Sequence, residues 1–255
     1  MKLISLNTWG GRAGKAELLS FFEKHKDVDI FCLQEILSAP YEKIDGQIVD
    51  EFDMGLDQTM SYGMQEISSA LAGHASYFRP HYLNTYGLLM LVKKDIEVIK
   101  EGDFFVYKSS DYVPMMEDIG LHARNVQYTT VQTERGIRTF MNFHGLWDEV
   151  GKVNTKDRLI QSDKIISFLS TLPTPIILCG DFNLRPDTES IKKFEDFGLR
   201  NLIKEYGVTS TRTSYYAKPE KFADYAFVSD GVKVLDFKVL PDEVSDHSPL
   251  YLEFD

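Results

Sequence analysis

The octapeptide IILCGDFN, Ile176–Asn183, decides how this chain is read. Its apolar run Ile176–Cys179 is bracketed by Pro173 and Pro175 on one side and Gly180 on the other. A run that short and that apolar reads as a buried strand rather than a helix. Its end delivers a carboxylate, Asp181, and an amide, Asn183, where a sheet can hold them rigidly.

Working outward, residues 155–171 read as a helix with Asn154 or Thr155 as cap and Leu159, Ile160, Ile165, Ile166 and Leu169 as apolar stripe. Before it, runs at 122–133 and 137–143 flank Glu134-Arg135-Gly136, a hairpin signal, and end at His144. The chain opens β-α-β: Met1–Leu6 running into Asn7, an amphipathic helix over 13–26, and an apolar strand Val28–Leu33 that ends at Glu35. Further strands are expected at 75–79, 86–92, 96–106, 223–229, 232–239 and 249–254, and helices over 58–73 and after Pro186, the latter capped by Asp187. Residues 36–57 carry Asp45, Asp50, Glu51, Asp53 and Asp57 with little periodicity and read as a long acidic loop. Many strands with a few helices between them point to an α/β (α+β) fold, a four-layer sandwich of two packed mixed β-sheets flanked by helices.

Composition narrows the function. The 255 residues include 43% hydrophobic ones and no linker-like stretch, so one domain spanning 1–255 is expected. A net charge of -11 disfavours a partner bound mainly through phosphate neutralisation. Cys32 and Cys179 sit in apolar runs and read as buried, unpaired thiols of a reducing compartment. No run approaches membrane-spanning length, so a soluble cytoplasmic monomer is expected, with no obligate protein partner.

Polar groups recur at the ends of apolar strands: Asn7, Glu35, His144, Asp181 and the pair Asp246-His247. Carboxylates, an amide and imidazoles converging there imply a hard, oxygen-rich metal site, Mg²⁺ or Mn²⁺ rather than Zn²⁺, since no Cys/His cluster has zinc spacing. Such a cation offsets the charge of a phosphoester.

The strings LNTWG, LQE, NFHGLW, GDFN, ADYAFVS and SDHSPL follow one another in the order, and at roughly the spacings, of the endonuclease/exonuclease/phosphatase superfamily. That superfamily includes abasic-site endonucleases, pancreatic-type deoxyribonucleases, neutral sphingomyelinases and inositol polyphosphate phosphatases. The resemblance covers the whole chain; GDFN and SDH are weak alone, but the ordered set is specific. It implies that Glu35 binds the metal with Asn7 beside it and Asp246 on the metal side. It implies that Asp181 orients the attacking water, that Asn183 contacts phosphoryl oxygens, and that His247, oriented by Asp224, stands beside the scissile phosphate. His144 resembles the second histidine of the lipid-cleaving and deoxyribonuclease branches. Abasic-site endonucleases carry an aspartate where this chain has Trp9, which moves it away from that branch and toward a single metal ion.

Plainer readings apply elsewhere. His25, His74, His81 and His122 read as satisfied structural histidines, Trp9 and Trp147 as pocket wall or core, and Lys152, Lys156 and Arg158 as scattered basic residues. Arg124 and Asn125 lie on a strand that could face the pocket. The expected activity is hydrolysis of a small or lipid-linked phosphoester, mono- or diester. A DNA or RNA nuclease is the alternative, and a non-catalytic binding module predicts the loss of Glu35, Asp181, Asn183 or His247, all of which are present.

Overall fold

A computed structural model describes residues 1–38, 59–115, 120–172 and 175–255. Its twelve strands form two six-stranded sheets among those residues. The first has the order β11(Val234–Val239), β12(Leu250–Phe254), β1(Lys2–Asn7), β2(Ile30–Leu37), β4(Tyr86–Lys93), β3(His74–Tyr82). The second runs β5(Glu97–Tyr107), β6(Arg124–Thr133), β7(Gly136–His144), β8(Ile176–Asp181), β10(Asp224–Val228), β9(Arg200–Asn201). The helices are α1(Lys15–Lys24), α2(Gly63–Ala70), α3(Lys156–Leu169), α4(Glu189–Asp196) and the single turn α5(Leu202–Glu205).

Each sheet holds one parallel pair, β1–β2 in the first and β7–β8 in the second; their other pairings are antiparallel. A parallel pair needs a crossover, and α1 and α3 supply the two. The consequence decides where chemistry can sit. The C-terminal ends of β1, β2, β7 and β8 share one end of the sandwich, and the antiparallel neighbours β12 and β10 begin there.

Strand alternation sorts the core into layers. Ile4, Leu6, Phe31, Leu33, Leu89 and Leu91 pack outward on α1 and α2 through Leu18, Phe21, Phe22, Ile67 and Leu71. Leu3, Ile30, Cys32, Met90 and Val92 point inward, in one cluster with the residues of the second sheet and of α3 and α4. This is the expected four-layer sandwich. Buried amides stitch the sheets: Gln34 Nε2 donates to Asn142 Oδ1 at 2.6 Å, and Asn142 Nδ2 donates to Leu33 O at 2.9 Å. Cys32 and Cys179 are buried free thiols, as read.

Several boundaries differ from the sequence reading. The 58–73 helix is shorter, Gly63–Ala70. The cap of α4 is Thr188, whose hydroxyl accepts from Ile191 N, not Asp187. The buried side of α3 is Arg158, Gln161, Ser162, Ile165 and Leu169, while Ile160 is exposed. Hydrophobic periodicity cannot see a polar buried face, and this one has a task described below. Strand β2 continues to Leu37 rather than ending at Glu35, so Ile36 and Leu37 leave the expected acidic loop; beyond Ser38, its residues 39–57 lie outside the described residues.

Candidate active site

Asn7, His144 and Asp181 arrive as expected, as last residues of β1, β7 and β8, and Asp224 arrives as first residue of β10. The last three lie side by side: His144 is in register with Asp181, and Asp181 with Asp224. Gly180 makes this possible, because a Cβ there would overlap the Phe143 carbonyl, and its φ of +139° suits glycine. Glu35 arrives by another route. Alternation from inward Cys32 and Gln34 would turn it outward. The pairing of β2 with β4 shifts register between Leu33 and Ile36, and Glu35 adopts φ +59°. This bulge re-aims the carboxylate toward the second sheet. Asn183 also has positive φ, +53°.

Asp181 is the hub. Its Oδ1 accepts from Asn183 N at 2.8 Å and its Oδ2 from Asn7 Nδ2 at 3.0 Å. The same Asn7 nitrogen donates to Glu35 Oε1 at 2.9 Å, while Asn7 Oδ1 accepts from Trp9 N at 3.0 Å. That last bond fixes the amide, so its NH₂ bridges the two carboxylates. Two imidazoles face Asp181 Oδ2: His144 Nε2 at 3.7 Å and His247 Nε2 at 3.6 Å. Burial alone would raise the Asp181 pKa, but His247, Lys152 and His144 outweigh it and hold the carboxyl below the usual range.

The two imidazoles are oppositely biased. His247 Nδ1 donates to Asp224, 2.8 Å from Oδ1, and Asp224 Oδ2 also accepts from Thr211 Oγ1 at 2.9 Å. Burial pulls the His247 pKa down, yet Asp224 and Asp181 raise it above the ordinary value. His144 Nδ1 instead meets the Arg124 guanidinium, Nη1 at 3.4 Å. Burial first, then Arg124, push its pKa well below the ordinary value.

Asp246 lies beside this cluster, its Oδ2 accepting from Arg212 Nη1 at 3.2 Å and its Oδ1 buried without a partner, 3.8 Å from His247 Nε2. Glu35, His144 and Asp181 each offer a donor atom within 4.8 Å of the others, as do Asp181, Asp224 and His247.

Glu35, His144, Asp181, Asn183, Asp246 and His247 form the floor of a cavity of about 590 Å³ whose walls include Trp9, Tyr86, His122, Trp147 and Tyr215. The expected wall tryptophans are therefore both in place. Lys152, read from sequence as a scattered basic residue, and His122, read as a structural histidine, line the cavity, and so does Arg212, which the sequence does not single out. Lys152 is buried, donates to Asn183 Oδ1 at 3.1 Å, and burial pulls its pKa down to about 8. It is not scattered surface charge. Neither is Arg158, which is buried and holds the segment carrying Trp147 and Lys152: it donates to Leu146 O at 3.1 Å and Val153 O at 2.8 Å, while Gln161 accepts from Leu146 N. That is the task of the polar face of α3. Arg124 lines the cavity, whereas Asn125 points away and bonds His81 and Asp103.

A sequence profile of the Endonuclease/Exonuclease/phosphatase family matches residues 4–247. No curated protein matches the chain. Among solved structures, a family protein from Bacteroides thetaiotaomicron superposes with TM-score 0.73 at 19% identity, covering 100% of this chain and 94% of its own. A mannosyl-6-phosphatase from the same species gives TM-score 0.73 at 20% identity, with 100% and 99% covered. Truncated Caenorhabditis elegans TDP2 gives 0.68 at 17%, with 99% and 96% covered.

Proposed function

The chain belongs to the endonuclease/exonuclease/phosphatase family, and from that premise we propose that it hydrolyses a small or lipid-linked phosphoester with Mg²⁺ or Mn²⁺ as cofactor. The observation that carries this reading is the convergence of Asn7, Glu35, His144, Asp181, Asn183, Asp224 and His247, from both sheets, on one end of the sandwich.

The donor set fits a hard divalent cation. Glu35 and Asp181 present carboxylate oxygens tied together by Asn7, and Asp246 Oδ1 is a buried oxygen without a partner. Glu35 and Asp181 would hold the ion, with Asn7 fixing both. When bound, the ion offsets phosphate charge and stabilises the leaving oxygen. One ion is favoured, since Trp9 stands where a further carboxylate would be needed.

The chain's own groups divide the remaining work. Asp181, kept ionised, orients the attacking water and accepts its proton. His247, whose proton affinity Asp224 raises, donates from Nε2 to a phosphoryl oxygen as charge builds there. Asn183 and Lys152 contact the phosphoryl oxygens from the other side, and His144 adds a neutral Nε2–H donor.

The cavity volume suits a small ligand, and one similar structure is that of a mannosyl-6-phosphatase. The buried free thiols support a cytoplasmic setting. The test is a panel of p-nitrophenyl phosphate, sugar phosphates, sphingomyelin, plasmid DNA and RNA, each with Mg²⁺ and with EDTA. Mg²⁺-dependent turnover of a small or lipid-linked ester is expected. Degradation of DNA or RNA at nanomolar enzyme with no turnover of small esters would establish the nuclease reading instead.

A further inference from the structure

Three buried cations, Arg124, Lys152 and Arg158, and the part-buried Arg212 stand around the site, and they fall into two kinds. Arg158 ion-pairs with Asp148 at 3.3 Å and saturates backbone carbonyls; Arg212 pairs with Asp246 at 3.2 Å. Arg124 and Lys152 have no carboxylate partner among the described residues. Arg124 is 2% exposed, with Nε buried and unbonded, Nη2 donating to Gly120 O at 3.3 Å and Nη1 to His144 Nδ1. Lys152 is 7% exposed and its ammonium donates to a neutral amide, Asn183 Oδ1. A buried cation without a counter-ion is strongly disfavoured unless something else supplies the anion.

Both line the cavity that also holds Asp181. Arg124 reaches the hub through His144, whose Nε2 stands 3.7 Å from Asp181 Oδ2. Lys152 reaches it through Asn183, whose N–H donates to Asp181 Oδ1. A phosphorus seated at Asp181 would therefore have Arg124 behind His144 and Lys152 beside Asn183, neither cation with a carboxylate partner among the described residues. A monoester near neutrality carries close to two negative charges and three terminal oxygens. A diester carries one charge, and a second substituent takes up one of those oxygens.

Resting on the phosphoester reading above, we infer that the substrate is a phosphomonoester, and that Arg124 and Lys152 are the two cations that select its dianion over a diester monoanion. Arg124 offers a fixed guanidinium charge beside His144 and Lys152 a compact point charge, both attractive to terminal phosphate oxygens.

The test separates binding from turnover. Full-length protein with Mg²⁺ is titrated with inorganic phosphate and with dimethyl phosphate by calorimetry. Inorganic phosphate should bind at least about tenfold more tightly, and Lys152→Gln and Arg124→Gln should each bring that ratio toward one. In kinetics, kcat/KM for p-nitrophenyl phosphate should exceed that for bis-p-nitrophenyl phosphate, which has the same leaving group, and both variants should narrow the gap. A merely structural role would lower both esters alike and leave the ratios unchanged. Should Arg124→Gln fail to fold, Lys152→Gln and the charge-conserving Arg124→Lys still read the ratio. Equal binding of the two phosphates, or wild-type ratios in the variants, overturns the inference. Turnover without discrimination would reject this selectivity and keep the phosphoester reading; discrimination without turnover of any ester would do the reverse.

Discussion

His144 and His247 stand 3.7 and 3.6 Å from the same oxygen of Asp181, both buried, yet their proton affinities are shifted in opposite directions. The difference is made by the group on Nδ1. Asp224 on His247 favours the imidazolium; on His144, Arg124 adds to burial in disfavouring it and, as a donor to Nδ1, directs the ring proton to Nε2. Burial lowers both, so the partner and not the depth decides. On the proposed function, one arm of the site supplies positive charge to the transition state and the other a neutral donor.

The largest effects should come from the charged arm. His247→Ala should lower kcat by roughly 10³-fold while the fold, read by circular dichroism, is retained. Asp224→Asn should cost about 10²-fold or more, since the amide removes both the charge and the tautomer control; nitrogen NMR should then show His247 losing its imidazolium pattern. His144→Asn should cost less, about 10- to 100-fold, because a neutral donor replaces a neutral donor. Equal losses for His144→Asn and His247→Ala would erase the asymmetry between the arms.

The smallest effect concerns stability. Burial, then Arg124, lowers His81 to about 3 and holds its stacking partner His122 well below its ordinary value. Their folded pKa values lie under the unfolded one near 6.5, so the unfolded chain binds more protons as pH falls through that window. Stability should therefore decline as pH drops from about 6.5 toward 3, with Tm falling by a few degrees or more. His122→Gln should flatten that slope at the mildly acidic end; an unchanged slope would show that other groups carry it.

The ordered strand-end motifs were enough to find the two sheets, the helical crossovers and most of the site, because each strand delivers its polar residue at a terminus and parallel pairing brings those termini together. Glu35 was found for a reason that does not hold: it lies within β2, re-aimed by a bulge that no residue type announces. Lys152, Arg212 and the buried role of Arg158 were not legible. A buried cation looks like a surface one in sequence, and only the tertiary arrangement shows that Asn183, Asp246 and the Leu146 carbonyl are its partners. Arg124 was recognisable only as a residue on a pocket-facing strand; its contact with His144, which sets the asymmetry, spans two strands.

The proposed chemistry rests on Asp181, which joins both arms and the expected ion. The most direct measurement is p-nitrophenyl phosphate turnover by wild type and Asp181→Asn, each with Mg²⁺ and with EDTA. Wild type should turn over only with Mg²⁺, and Asp181→Asn should fall by about 10³-fold while melting within a few degrees of wild type. Undiminished turnover by Asp181→Asn in EDTA would contradict the site as described.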